Sequence, residues 1–449
     1  MESPVGRYRQ STFPPAYWSI FNAMTNALAP TLTLTQLVFY GVGTIVGAGI
    51  YTIIGSAAGL AGTALWVSLL CAGAAAFLTA LSYAELISML PRAGAEYQFL
   101  KAAFPKAPLI SFLAGFLIAL NAAATSATVS LAFAGYLRVF LEVPAPLTAF
   151  ALLTICTTLN IAGLRQATWA SIGMIVIEVG GLLLLVVMGL YKGDPASAIT
   201  LPSFGDTSGI FAATALVFFV YIGFEDVTNL SEESINPRRD VPRALLWSVA
   251  VTSLVYMLVV WAVFSVMGPD ELAQSDSPLT TAGRSVAPWL GQTLAVTAMF
   301  ATASTALISL VSISRLLFGM ARDGDMPAAL AKTMSQRKTP WVAALVLYAA
   351  ACVLLLLGEV KIIASISALG ILMVFVGVHA AVIVLRFKEP DRETPFRGPL
   401  HVGRLPLLPP LGIVICLALM TQFEPIVYAV TGGAVLFGIA VYLIRREKS

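Results

Sequence analysis

Three carboxylates set the chemical question. Glu178, Glu225 and Asp226 fall near the centres of apolar stretches of about 20 residues, the length that spans a bilayer as a helix, and no lysine or arginine lies at comparable depth. An acid there costs about 2.5–3.5 kcal/mol on insertion scales, and such residues usually face a cavity or an ion path. A protonated carboxyl hydrogen-bonded to a neighbouring helix is the competing reading. A glycine run, Gly41-Val42-Gly43-Thr44-Ile45-Val46-Gly47-Ala48-Gly49-Ile50-Tyr51, is the second feature. Its glycines make a poor helix, since each costs about 1 kcal/mol relative to alanine. A dinucleotide fingerprint would need a strand before it and an amphipathic helix after it, whereas both flanks are apolar runs of membrane length. Two readings stay open: a small-residue face for helix packing through Gly43 and Gly47, or a helix broken at mid-membrane. A break would free amides for an anion and carbonyls for a cation.

The elements that hold these residues follow from composition. Of 449 residues, 58% are hydrophobic and only 11% charged, against roughly 25% charged in soluble domains. This excludes a nucleic-acid-binding protein, a secreted disulfide scaffold and an ordinary two-domain cytosolic enzyme. Cys71, Cys156, Cys352 and Cys416 lie inside apolar runs without CxxC spacing and read as core residues. His379 and His401 form no metal signature, so neither a metal nor a cofactor is expected. Residues 1–33 are polar and contain no short apolar stretch ending in a cleavage site, so no cleavable signal peptide is expected.

Apolar runs between charged or proline-rich breaks predict about twelve membrane helices, at 34–59, 63–90, 108–137, 146–162, 168–190, 209–231, 244–267, 285–317, 341–357, 361–385, 406–421 and 425–444. With the N-terminus inside, only Arg138, Lys192, Arg284 and Lys361 of the 26 basic residues fall on the outer side. That asymmetry predicts a multi-pass protein of the cell membrane with both termini cytoplasmic, the segments 1–33 and 445–449.

The sixth span, Phe218-Phe219-Val220-Tyr221-Ile222-Gly223-Phe224-Glu225-Asp226, places a glycine and two acids in an aromatic run. Glu225 lies one helical turn after Tyr221, which predicts that the two share a face. Interruptions in the first and sixth spans are what an inverted repeat of two five-helix halves predicts. The halves would be 34–190 and 209–385, with 406–444 as two additional helices.

These residues resemble the amino acid–polyamine–organocation permeases. That family carries a first-helix pattern like GxGxIxGxGIF, matched by GVGTIVGAGIY with Tyr51 in place of phenylalanine. Its YAEL…PRAGGEY stretch is matched by Tyr83-Ala84-Glu85-Leu86 and Pro91-Arg92-Ala93-Gly94-Ala95-Glu96-Tyr97, with Ala95 replacing a glycine. Its FxxYxGFE…EExxNPxRxxP is matched by Phe218 to Glu225 and Glu232 to Pro242. The end of the eighth helix, Ser314 to Pro327, is also similar.

The resemblance implies an all-α fold with broken first and sixth helices and an amino acid, or its decarboxylated amine, as substrate. The α-carboxylate would sit on amides of Ala48, Gly49 and Ile50, beside Gly47, at the positive end of a half-helix. The α-ammonium would be held by carbonyls of Thr44 or Ile45 and of Phe219 and Ile222. Phe219, Tyr221 and Phe224 would gate or line the site, with core packing as their alternative. Asn121, Thr125 and Ser126 are further candidates for the pocket. The loops Asn236 to Pro242 and Arg315 to Pro327 read as charged caps that position helix ends.

One departure stands out. Several proton-coupled relatives place a lysine on the fifth helix where this chain has Glu178. An ionised, unpaired carboxyl there would be very costly, so Glu178 is expected to be neutral much of the time. It could then load a proton on one side and release it on the other, and Glu225 could link substrate occupancy to that movement. Sodium is the less favoured occupant, with Thr302, Ser304 and Thr305 on the eighth helix as oxygen neighbours, although such side chains often bond only their own helix. The expectation is therefore a secondary active amino acid transporter working by alternating access in a lipid bilayer, with a proton as co-substrate, no nucleic acid, and a homodimer allowed. An amino acid or amine exchanger and a sodium symporter of the same fold are the alternatives. A channel would want a carbonyl-rich filter loop or a polar stripe, and a membrane-embedded enzyme a nucleophile–base pair; neither is evident.

Overall fold

In a bilayer core every backbone N–H and C=O must find its partner inside the protein, and an apolar run does this by coiling. Each apolar run of this sequence falls on helix in the computed structural model, which describes residues 32–92, 94–162, 164–196, 198, 207–231, 234–275, 277–334 and 339–446. Most of the N-terminal segment, Ala93, and Glu232 and Glu233 of the sixth-helix loop lie outside the described residues. The helices are α1 (Leu34–Ala61), α2 (Leu65–Met89), α3 (Ala95–Ala103), α4 (Pro108–Leu137), α5 (Ala145–Ala162), α6 (Leu164–Lys192), α7 (Thr207–Val217) and α8 (Asp226–Asn229). They continue with α9 (Pro237–Phe264), α10 (Pro269–Ala273), α11 (Pro278–Val286), α12 (Pro288–Arg322), α13 (Trp341–Leu355), α14 (Val360–Lys388), α15 (Leu408–Met420) and α16 (Pro425–Arg446). A two-stranded hairpin, β1 (His401–Val402) and β2 (Leu405–Pro406), lies between α14 and α15.

Among the described residues, nine stretches are long and apolar enough to cross a membrane, and the first, Leu34–Met89, contains both α1 and α2. The helices α13 and α15 are apolar but shorter, at 15 and 13 residues. Exposed leucines, valines and aromatics, such as Leu70, Phe150, Val187, Trp247, Leu254, Val353 and Phe437, lie on the outside of the bundle, a surface that suits acyl chains.

Local sequence sets the helix ends. The Thr33 amide donates to the Gln36 side chain (2.9 Å), and the Gln36 amide to the Thr33 hydroxyl, closing a capping box on α1. Proline opens α4, α9, α11 and α12, where its missing N–H has no helical partner to lose. Helix α9 begins at Pro237 rather than at 244, and α12 ends at Arg322 rather than 317, because a helix needs no apolar residues once it leaves the bilayer. The short helices α3, α10 and α11 carry too little apolar sequence to register as spans.

Helix α4 is the central post, packed against both α12 and α14, while α9 packs on α1 and α2, and α6 packs on α12 and α9. The post is built from small buried residues, Ala122, Ala123, Ala124 and Ala127 among them, which let membrane helices approach closely. Helices α15 and α16 lie against α14. One buried ion pair joins α2 to α14. Arg386 donates from Nε and Nη2 to the two oxygens of Glu85, each at 2.5 Å, and the Gly398 amide donates to Glu85 at 2.8 Å. Glu85 and Arg386 side chains are 2% and 5% exposed.

Removing one member of such a pair strands the other charge, a loss of about 3–5 kcal/mol, whereas replacing both is tolerated far better. Arg386→Met should therefore lower the thermal unfolding midpoint of the detergent-purified protein markedly, and Glu85→Gln/Arg386→Met should recover most of the loss. A single variant as stable as the parent would remove the pair from the fold's essentials.

Candidate functional site

The glycine run of α1 is interrupted at Gly47, whose backbone angles (φ 14°, ψ −158°) are non-helical. The freed amide of Ala48 finds a partner on α12 and donates to the Thr305 hydroxyl at 3.0 Å. The sixth span breaks as well. It runs as α7, tightens into a 3-10 turn at Phe218–Tyr221, extends at Ile222 (φ −61°, ψ 137°) and turns at Gly223, whose φ of 115° favours glycine. The expectation that Tyr221 and Glu225 share a helical face is therefore corrected: no continuous helix joins them, because Gly223 reverses the chain between them.

The two breaks face each other. A Cβ added at Gly49 would lie 2.9 Å from Val220 Cα, and one at Gly223 would lie 3.0 Å from the Thr44 carbonyl oxygen. Glycine allows the backbones to meet here. The Tyr256 hydroxyl of α9 lies 2.7 Å from the Ile45 carbonyl oxygen and 3.0 Å from that of Val220, so one side chain serves both breaks. The Glu225 carboxylate accepts from the Gly223 amide at 2.9 Å. The Thr44 hydroxyl lies 3.3 Å from the Gly223 carbonyl.

Between the breaks is a cavity of about 30 Å³, lined by Thr44, Ile45, Gly47, Ala48, Gly49, Phe219, Val220 and Ile222, with Thr125 and Val129 of α4 and Thr305 of α12. A water needs about 10–15 Å³ on this measure. The cavity thus admits a water or two and must widen to take an amino acid.

Most of the expected binding residues line this cavity: Thr44, Ile45, Gly47, Ala48, Gly49, Phe219 and Ile222. Ile50 does not; it is buried beside the cavity lining. The gating candidates Tyr221 and Phe224 do not line it either. Tyr221 donates to the Leu69 carbonyl at 3.1 Å and stacks edge-on against Tyr256, while Phe224 packs on Tyr83 and Phe375. The turn at Gly223 sends these rings into the core. The Ile45 carbonyl, expected to face an ammonium, already accepts from Tyr256, and the Phe219 carbonyl accepts from the Ile222 amide at 3.2 Å.

Thr125 lines the cavity as expected of an α4 candidate, and its hydroxyl meets Ser367 at 3.1 Å; Ser367 in turn bonds Asn121. Of the α12 hydroxyls, Thr302 and Ser304 donate to their own helix, to the carbonyls of Ala298 and Ala301, and Thr305 alone reaches the break. Tyr256, in the seventh span, has no feature in the sequence that marks it, since its partners Ile45 and Val220 are distant along the chain.

Glu178 is completely buried on α6, and neither carboxylate oxygen has a hydrogen-bond partner among the described residues. Its backbone carbonyl accepts from the Tyr51 hydroxyl at 3.1 Å, and Tyr136 donates to the Tyr51 carbonyl at 2.5 Å. Tyr51, the residue that departs from the family's first-helix pattern, thus ties the second half of α1 to the segment carrying Glu178. At one end of the bundle Asp325, after α12, accepts from Tyr97 and lies 3.5 Å from Lys101 of α3, and Arg238 pairs with Glu393 at 2.8 Å. These contacts suit the capping role read for the charged loops.

A Cβ at position 49 must push α1 away from Val220 backbone. Gly49→Ala should therefore weaken binding of labelled amino acids at least tenfold, about 1.4 kcal/mol, in scintillation proximity measurements. Gly180→Ala, whose added Cβ meets nothing within 4 Å, should bind as the parent does. Equal affinity in both variants would separate this cavity from binding.

Residues 32–444 match the sequence model of a family described as amino acid permease. The branched-chain amino acid permease BcaP of Bacillus subtilis is 29% identical over 435 residues, covering 92% of each chain. The methylthioribose transporter of the same organism is 29% identical, covering 94% of this chain and 95% of its own. The vacuolar cationic amino acid transporter 4 of Arabidopsis thaliana is 32% identical over 83% of this chain and 66% of its own. A match across nearly the whole chain, with relatives named as transporters, makes this protein a transporter rather than an enzyme, and the chain belongs to the amino acid permease family.

Proposed function

We propose that this protein is a secondary active amino acid transporter that works by alternating access and couples uptake to a proton. The observation that carries the reading is the pair of facing helix breaks around one cavity, with the Ala48 amide freed on one side. A half-helix N-terminus offers an α-carboxylate both donors and a favourable dipole. In this reading the carboxylate takes the Ala48 amide now held by Thr305 and extends toward Gly49 and Ile50. The ammonium is held by carbonyls of the Thr44–Ile45 and Phe219–Ile222 segments. Branched-chain and cationic amino acids are the classes that the relatives' names suggest.

The nine long apolar stretches, the first of which holds two helices, and the two shorter helices α13 and α15 would make twelve crossings with both termini in the cytoplasm. Residues 34–190 and 209–385 would form the two inverted halves, each with its broken first helix, and 406–444 the two additional helices. Alternating access would move one half against the other about the breaks.

Glu178 is the proposed proton carrier. Its buried, unpartnered carboxylate can be held neutral at low energy and charged only when water reaches it. Because Tyr51 bonds its backbone, rotation of the second half of α1 would alter access to it. Glu178→Gln, a permanent mimic of the loaded form, should keep substrate binding and exchange in proteoliposomes but lose accumulation driven by a pH gradient. Full gradient-driven accumulation in that variant would return Glu178 to packing, and accumulation that requires sodium at fixed pH would replace the proton.

Glu225 has a second place in the scheme. One oxygen of its carboxyl accepts from the Gly223 amide, so a change of charge on Glu225 would alter the hold on the sixth-helix break. Glu225→Gln keeps an acceptor oxygen without the charge, and it should retain binding while flattening the pH dependence of transport. An unaltered pH profile would leave Glu225 as a cap alone. Competition of unlabelled leucine, lysine and methylthioribose against uptake of a labelled amino acid mixture would assign the substrate class.

A further inference from the structure

A larger cavity lies away from the breaks, at the end of the bundle where α14 gives way to the 389–407 connection. It measures about 170 Å³, more than five times the volume between the breaks. Its lining is polar and basic: Arg386, Arg392, Arg397 and Arg404, with Glu85 and Glu389. Four guanidinium groups against two carboxylates leave a local excess of positive charge.

The two carboxylates are already committed. Glu85 is filled by Nε and Nη2 of Arg386 and by the Gly398 amide. Glu389 accepts from Arg392 at 2.6 Å. Arg397 and Arg404 are exposed, and no hydrogen bond or ion pair engages either side chain among the described residues. Arg386 itself is 93% buried, yet its remaining donor, Nη1, has no acceptor among the described residues. A buried guanidinium donor without an acceptor is costly and calls for one.

The backbone builds this arrangement. Strands β1 and β2 pair His401 with Pro406 and Val402 with Leu405, which leaves Gly403 and Arg404 as the two-residue tip. Gly403 has the positive φ (60°) that such tips require, and the Leu407 amide closes the base by donating to the Leu400 carbonyl at 3.0 Å. Arg404 is thereby carried on a defined turn to the cavity wall. Beside the arginines, Phe387, Leu400, Val402, Leu405 and Leu407 are exposed, an apolar rim next to a basic pocket.

We propose that this cavity is a binding site for a phosphate group, distinct from the transport site. Guanidinium forks match phosphate oxygens in geometry and charge. A phosphate oxygen would supply the acceptor that Arg386 Nη1 lacks, and Arg397 and Arg404 would clasp the group from the loop. The carrier is either an anionic lipid headgroup, which the apolar rim suits, or a free phosphate.

The test uses the full chain in nanodiscs. One arm titrates inorganic pyrophosphate onto protein in phosphatidylcholine discs; the other raises phosphatidate from zero to a tenth of the lipid. Binding is followed by intrinsic tryptophan fluorescence and by the unfolding midpoint. Saturable binding in the first arm assigns a free phosphate, and a response in the second arm alone assigns a lipid. Arg397→Gln/Arg404→Gln removes two side chains without partners, so its unfolding midpoint without anion should equal the parent's. Its phosphate affinity should fall at least tenfold in the arm that responds, while Arg239→Gln, outside the cavity, should bind as the parent does. No saturable response in either arm, or equal affinity in the double variant and the parent, overturns the proposal.

Discussion

Backbone polar groups released inside a bilayer must be satisfied by something other than water, and the centre of this protein is organised by that constraint. Interrupting two helices at the same depth creates donors and acceptors that neither helix can answer alone. Here the Ala48 amide goes to Thr305, the Ile45 carbonyl takes the Tyr256 hydroxyl, which also lies close to the Val220 carbonyl, and Glu225 holds the Gly223 amide. The partners come from α12, α9 and the sixth span's own turn. The unsatisfied ends therefore oblige several helices to converge on one point, and the cavity is what remains between them.

In the proposed function the same arrangement would serve a ligand. Ala48 is answered by a hydroxyl, which a ligand's carboxylate can replace or join with no loss of hydrogen bonds. The glycines at 49 and 223 let the two backbones touch, so the closed cavity is too small for an amino acid without being obstructed by side chains. The rings of Tyr221 and Phe224 are locked among Tyr256, Tyr83 and Phe375, which ties the sixth-span turn to α2, α9 and α14. Packed aromatics thus join the turn to three helices.

Charge is handled in two ways. Glu85 and Arg386 answer each other completely apart from one donor, and they join α2 to α14 near an end of the bundle. Among the described residues Glu178 has no such partner, and it lies at the middle of its helix. A paired buried charge is a fixed joint, whereas an unpaired carboxyl is free to change its protonation state. One buried acid is thus committed to a joint between helices, and the other has no partner among the described residues.

Hydropathy placed the membrane helices, because apolar length is what a bilayer demands; the runs from Leu34 to Ile444 fall on helix, except that the sixth breaks after Val217 and α9 starts earlier, at Pro237. The break in α1 was likewise legible, since glycines at 41, 43, 47 and 49 remove the side chains that make a helix pack and hold. What the tertiary structure decided is which groups meet across the breaks. Glu225 lies four residues after Tyr221, and helical periodicity puts them on one face; Gly223 turns the chain between them, so the carboxylate caps the turn and the ring enters the core. Thr305 was one hydroxyl among several on the eighth span, and only the approach of α12 to Gly47 distinguishes it from Thr302 and Ser304, which bond their own helix. Tyr256 carries no local signal, because its partners Ile45 and Val220 lie 211 and 36 residues away. Periodicity reports which residues leave water together; it is the packing of distant helices that chooses the partner of each freed backbone group.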